Sequence, residues 1–78
     1  MQNLKQVKKA RARQQLRAME MATDRLYEVQ CAINESRKPN WMRLGVAFGE
    51  LDLARVPYEG TNFYQEFRRL AKIDEARA

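Results

Sequence analysis

No glycine or proline interrupts the first 38 residues of this 78-residue chain. From about Gln2 to Glu35 the sequence is rich in Ala, Gln, Arg, Glu, Leu and Met, all strong helix formers. A stripe runs through Ala12, Leu16, Met19, Thr23, Leu26, Gln30 and Ile33, spaced four and three residues in alternation, and Tyr27 and Val29 widen it. That is the period of one helix face. Before Ala12 the stripe fails, because Lys5, Lys8 and Arg11 project into the same sector at about 100° per residue. The spacing predicts a first helix that packs over about residues 12–35, led by a basic N-terminal arm over 1–11. Removing that arm should leave the melting temperature nearly unchanged. The stripe also spans three heptads, so the first helix could pair with its own copy as a homodimer, with polar Thr23 and Gln30 setting the register.

Ser36 to Asn40 is a break centred on Pro39, a residue that fits the start of a new helix, with Asn40 an alternative cap. The second helix is expected over about 40–55, ending before Pro57. Trp41, Leu44, Phe48 and Leu51 form one stripe on it, and Met42, Val46, Leu53 and Val56 a second, with Gly45 and Gly49 between them. Two apolar sides predict a central helix with two neighbours. Trp41 reads as core. The two glycines read as a groove for another backbone, in which an added methyl group would clash. Pro57 to Asn62 reads as a turn. Asn62 with Gln65 suggests a capping box, and the third helix follows over about 63–76 with Phe63, Phe67, Leu70 and Ala71 on one face. No strand-like alternation is present. The expected fold class is all-α, a small three-helix domain with a long first helix and a basic N-terminal arm, in residues 12–78 as one domain.

The net charge of +5 is unevenly placed. Residues 1–17 hold Lys5, Lys8, Lys9, Arg11, Arg13 and Arg17 and no acid, leaving nine basic and ten acidic side chains in the other 61 residues. A localised basic segment attracts polyanions: nucleic acid, anionic lipid or an acidic protein face. Positions 5, 9, 13 and 17 repeat every four residues, so the cations crowd one helix edge and repel one another. These six residues are the candidate nucleic-acid or polyanion contacts.

Catalytic chemistry finds little to work with. There is no histidine, the commonest general base and metal ligand. One cysteine, Cys31, builds neither a zinc site nor a disulfide, and beside the apolar stripe it reads as a buried structural residue. No glycine-rich phosphate loop is present. Glu20 with Asp24, and Glu50 with Asp52, read as solvated helix surface. The expectation is no enzyme, no cofactor and no metal. No secretory signal and no run of about 20 apolar residues is visible, so the expected setting is the cytoplasm, a host's if the chain is phage-encoded, with no membrane association.

Three short resemblances stand beside this reading. Lys8 to Arg17 resembles the arginine-rich peptides of phage antitermination proteins, which bind an RNA hairpin as a helix. Trp41-Met42-Arg43-Leu44-Gly45-Val46-Ala47-Phe48 is similar to a helix start in a C-terminal helical module of phage and plasmid primases, with its W-x-R-[LV]-G-x-A pattern. Leu53 to Glu59 resembles a stretch of the small theta subunit of bacterial replicative polymerase, although the flanking order differs. Each covers ten residues or fewer.

Aromatic residues crowd the second turn, where Tyr58, Tyr64, Arg68 and Arg69 are the candidate protein interface, aromatics and Arg being enriched at binding hot spots. The 56–62 turn is long for a helix-turn-helix. The leading expectation is a small non-catalytic accessory or regulatory protein, of the kind phages and plasmids use as inhibitors, docking on a larger protein or nucleoprotein complex. The alternatives are a nucleic-acid-binding protein that uses the basic helix for phosphates, and an assembly protein that oligomerises through the first helix.

Overall fold

In the computed structural model the backbone is described for residues 4–77 and the side chains for 7–77. Three helices follow one another: α1 Leu4–Asn34, α2 Trp41–Leu53 and α3 Asn62–Arg77. The fold is all-α with a long first helix, and no strand occurs among the described residues. At about 1.5 Å per residue, the 31 residues of α1 span about 46 Å. They set the long dimension of a molecule measuring 54 × 21 × 15 Å. The radius of gyration, 15.1 Å, exceeds the about 11.5 Å of a compact chain of this length, because α1 outruns what the other helices can cover.

The helix ends follow local chemistry. The side chain of Asn40 accepts from the Arg43 amide at 3.0 Å and caps α2. The cap of α3 is Thr61 rather than Asn62: its hydroxyl accepts from the Tyr64 amide and donates to the Tyr58 carbonyl. The shorter hydroxyl reaches the third amide of the helix one position earlier than the expected capping box. Both α1 and α2 end in a left-handed residue, Ser36 (φ 57°) and Arg55 (φ 58°). In each case the amide of the next residue reaches back five, Arg37 to the Ala32 carbonyl and Val56 to that of Leu51, the Schellman pattern. Two long-range bonds add to these helix ends. Gln15 Nε2 donates to the Ala54 carbonyl at the end of α2, and the Arg77 guanidinium donates to the Ile33 carbonyl at the end of α1.

The buried face of α1 follows the expected stripe at Leu26, Val29 and Ile33 but departs from it in the first half of the helix. Ala18, Ala22, Leu26, Val29, Ala32 and Ile33 are buried, whereas Ala12, Leu16, Met19 and Thr23 are exposed. The inward face is turned towards the alanines because α2 meets α1 with its own Ala47 and Ala54 beside Leu51. Small side chains on both helices let the backbones close up, and Leu16 and Met19 would hold them apart. Of the seam expected for pairing of α1 with a copy, Leu26 and Ile33 lie inside the core of the chain itself.

The α2–α3 contact is built the other way. No Cα of α2 lies within 8 Å of a Cα of α3. Rings fill the gap: Phe48 lies 5.4 Å from Phe63 and 4.8 Å from Phe67, centroid to centroid. Leu44 and Leu70 complete this half of the core with Leu26, Val29 and Ile33. Trp41 is half-buried rather than core. Its indole N–H donates to Asp74 Oδ2 at 2.6 Å, and its ring meets Phe67 edge-on at 5.9 Å. An indole N–H needs an acceptor when covered, and the rim is where a carboxylate can supply one and stay solvated.

Gly45 and Gly49 also depart from expectation. A Cβ at either would meet nothing within 4 Å among the described residues, so no described helix enters the groove. The second stripe of α2 points to solvent: Met42 is 81% exposed, Leu53 74% and Val46 59%. Only Val56, beyond the helix end, turns in against the core.

Candidate functional site

The cationic segment is an exposed helix. Every side chain from Val7 to Gln14 is exposed, Gln15 is the first half-buried residue and Ala18 the first buried one. The part of α1 without cover thus reaches three residues further into the chain, to Gln14, than the apolar stripe from Ala12 suggests. Lys8, Lys9, Arg11, Arg13 and Arg17 are all exposed, and among the described residues none of them joins an ion pair. Lys5 belongs to the same helix, but its side chain lies outside the described residues. Because α1 and α2 run antiparallel, with Gln15 against Ala54 and Arg43 near Glu28, this segment extends past the C-terminal end of α2.

Tyr58 and Tyr64 come together as expected. They are half-buried, 5.8 Å apart, and both lean on Phe48, at 4.9 and 6.3 Å. Burial, and then the nearby Asp52 carboxylate, push the Tyr58 hydroxyl above its ordinary value. Arg68 follows Tyr64 by four residues and shares its flank of α3. Arg69 does not. It lies on the other side, where it donates to Glu66 at 3.0 Å, and that bond holds the Glu66 carboxyl below the usual carboxylate range. The four residues therefore do not form one patch.

The concave surfaces are open grooves rather than enclosed cavities. An apolar pocket of about 130 Å³ opens between Met19, Thr23, Val56, Pro57, Tyr58 and Phe63. It is well below the roughly 300 Å³ at which small-molecule sites begin. A larger open groove beside α1 is lined by Arg13, Arg17, Glu20, Asp24, Arg25 and Glu50, a mixture of both charges with no single polarity to select a ligand. Cys31 is half-buried rather than fully buried. Among the described residues no group of His, Cys, Asp or Glu side chains is placed to hold a metal ion, and no helix is long and apolar enough to cross a membrane.

The residues that sequence reasoning misplaced are Met42, Val46, Gly49 and Leu53. Their stripe is visible in the sequence, but the glycines suggested cover from within the chain. The largest exposed apolar surface of α2 is instead open. No family model matches this chain, and neither does any curated protein or solved structure.

Proposed function

We propose that this chain is a small non-catalytic accessory protein that docks on a larger, polyanionic partner through the projecting part of α1. The observation behind this is the set of five exposed cations, Lys8, Lys9, Arg11, Arg13 and Arg17, without an ion pair among the described residues and on a helix whose side chains are all exposed from Val7 to Gln14. Like charges at four-residue spacing destabilise a helix, and a bound polyanion relieves that repulsion. A cytoplasmic setting suits a chain whose single cysteine has no internal disulfide partner.

The form of this reading that the segment favours is nucleic-acid binding. A bare helix about 10–12 Å across is the right size for the major groove of duplex DNA, about 12 Å wide. Fluorescence anisotropy with labelled duplex DNA across a salt series tests it. Six engaged phosphates, Lys5 included, give a log–log salt slope near −5, and deletion of residues 1–11 should flatten it by about four phosphate contacts with the fold intact. If neither duplex nor single-stranded nucleic acid binds at low salt, the partner is an acidic protein face. Salt-sensitive association steered by the same cations then replaces phosphate contact.

A further inference from the structure

The outward face of α2 has no role inside the chain. Met42, Val46, Gly49 and Leu53 are spaced four, three and four residues, the seam of a left-handed helix pair. The three large side chains stand 81, 59 and 74% exposed, and the glycine weakens the helix while no atom of the described residues comes close enough to use the space.

We propose that this face is covered by α2 of a second copy of the chain, the two helices running antiparallel about a two-fold axis that passes between Val46 and Gly49. Two features select this occupant. The first is size. Antiparallel pairing sets Met42 opposite Leu53 of the second copy, and Val46 opposite Gly49 of the second copy, so the branched side chain fills the space that the glycine leaves. Parallel pairing sets Gly49 against itself and leaves a hole at that level.

The second feature is charge. In an antiparallel pair each flank of the seam meets the same flank of the copy, so a self-pairing helix needs both signs on one side. The flank beside Met42, Val46 and Gly49 carries Arg43 and Glu50, both exposed and seven residues apart. Antiparallel pairing brings Arg43 of each copy opposite Glu50 of the other. Both groups are free to meet. Glu50 joins no ion pair among the described residues, and Arg43 has only a 3.7 Å approach to half-exposed Glu28. In the parallel arrangement Glu50 faces Gly45 and the charges find no complement. The pair would carry one cationic α1 segment at each end, because each segment runs past the C-terminus of its own α2, so one dimer would grip its partner at two places.

A 13-residue helix offers about 20 Å of contact, less than a standard interface, so association should be weak and dependent on concentration. Sedimentation equilibrium of the full chain over a concentration series should show a monomer–dimer equilibrium. Leu53→Glu sits at a solvent-facing position and should leave the helical circular dichroism and melting curve of the dilute protein unchanged. It should raise the dissociation constant about tenfold or more. Arg43→Glu should also weaken the dimer, and adding Glu50→Arg to it should restore association. The register is read by crosslinking in a Cys31→Ser background. Met42→Cys with Leu53→Cys should oxidise to covalent dimers, and Leu53→Cys alone should not. A wild-type chain that stays monomeric at the highest soluble concentration overturns the proposal. So does a dimer indifferent to Leu53→Glu, or crosslinking by Leu53→Cys alone.

Discussion

Helix α2 meets its two neighbours by opposite means. Towards α1 it presents Ala47 and Ala54, which face Ala18 and Ala22, and the backbones approach closely around Leu51. Towards α3 it presents Phe48, which touches four other rings and keeps the two backbones more than 8 Å apart. The first interface tolerates no added volume, and the second depends on volume already present. A helix of 13 residues can hold both because they fall on neighbouring sides of it, and this leaves its third side, Met42 to Leu53, without internal cover.

The wedge should be the more sensitive of the two to truncation. Phe48→Ala removes one of the two rings, with Phe63, that pack against both halves of the core, and should cost about 3–5 kcal/mol. That is enough to unfold a domain of this size at ordinary temperature. A thermal melt followed by circular dichroism checks it, and a loss under about 1 kcal/mol would mean that the rings of α3 close over the gap without it. The seam should fail in the reverse direction. Ala47 is 0% exposed, and Ala47→Leu should cost about 1–3 kcal/mol by forcing α1 and α2 apart. A stabilised Ala47→Leu protein would show that the seam has slack and that the contrast between the interfaces is overstated.

The three-helix order and the position of both breaks were legible in the sequence, since a glycine- and proline-free stretch, Pro39 and Pro57 leave few alternatives. The cationic segment was legible too, because charge needs no fold to be counted. Leu26, Val29 and Ile33 were legible as buried, but the phase of the stripe in the first half of α1 was not. Leu16 and Met19 carry more apolar area than Ala18 and Ala22, and both sets are helically spaced. Only the alanines on α2 reveal that close approach, not apolar area, decides which set turns inward. Ala47 and Ala54 are seven residues apart and were the signal available. The glycines misled for a related reason. Their cost to the helix invites an internal explanation, but a Cβ at either position has nothing to meet.

Gly49→Ala turns that correction into a measurement. Because no atom stands within 4 Å of the added methyl, the substitution should stabilise the dilute chain by about 1 kcal/mol through helix propensity alone. Ala47→Leu and Gly49→Ala thus add carbon to opposite sides of one helix, with opposite expected signs. If both destabilise the dilute chain, the outer face of α2 is covered within the monomer, and the comparison between covered and open sides falls.

The smallest expected effect lies where α2 ends, and it concerns where the chain has and has not placed glycine. Arg55 holds the left-handed position of the Schellman turn at φ 58°, while the helix interior carries Gly45 and Gly49. A side chain in that conformation costs about 1–2 kcal/mol, and glycine avoids most of this at the expense of extra freedom in the unfolded chain. The difference leaves Arg55→Gly stabilising by roughly 0.5–1 kcal/mol. The gain should come without change to the cores on either side of α2, because Arg55 is exposed and the bonds from Arg55 and Val56 back to Asp52 and Leu51 are made by backbone alone. Chemical denaturation reads it as a higher midpoint with an unchanged slope. A lower midpoint would show that the Arg55 side chain supports the turn. The end of α2 would then depend on a contact that neither the alanine seam nor the aromatic wedge provides.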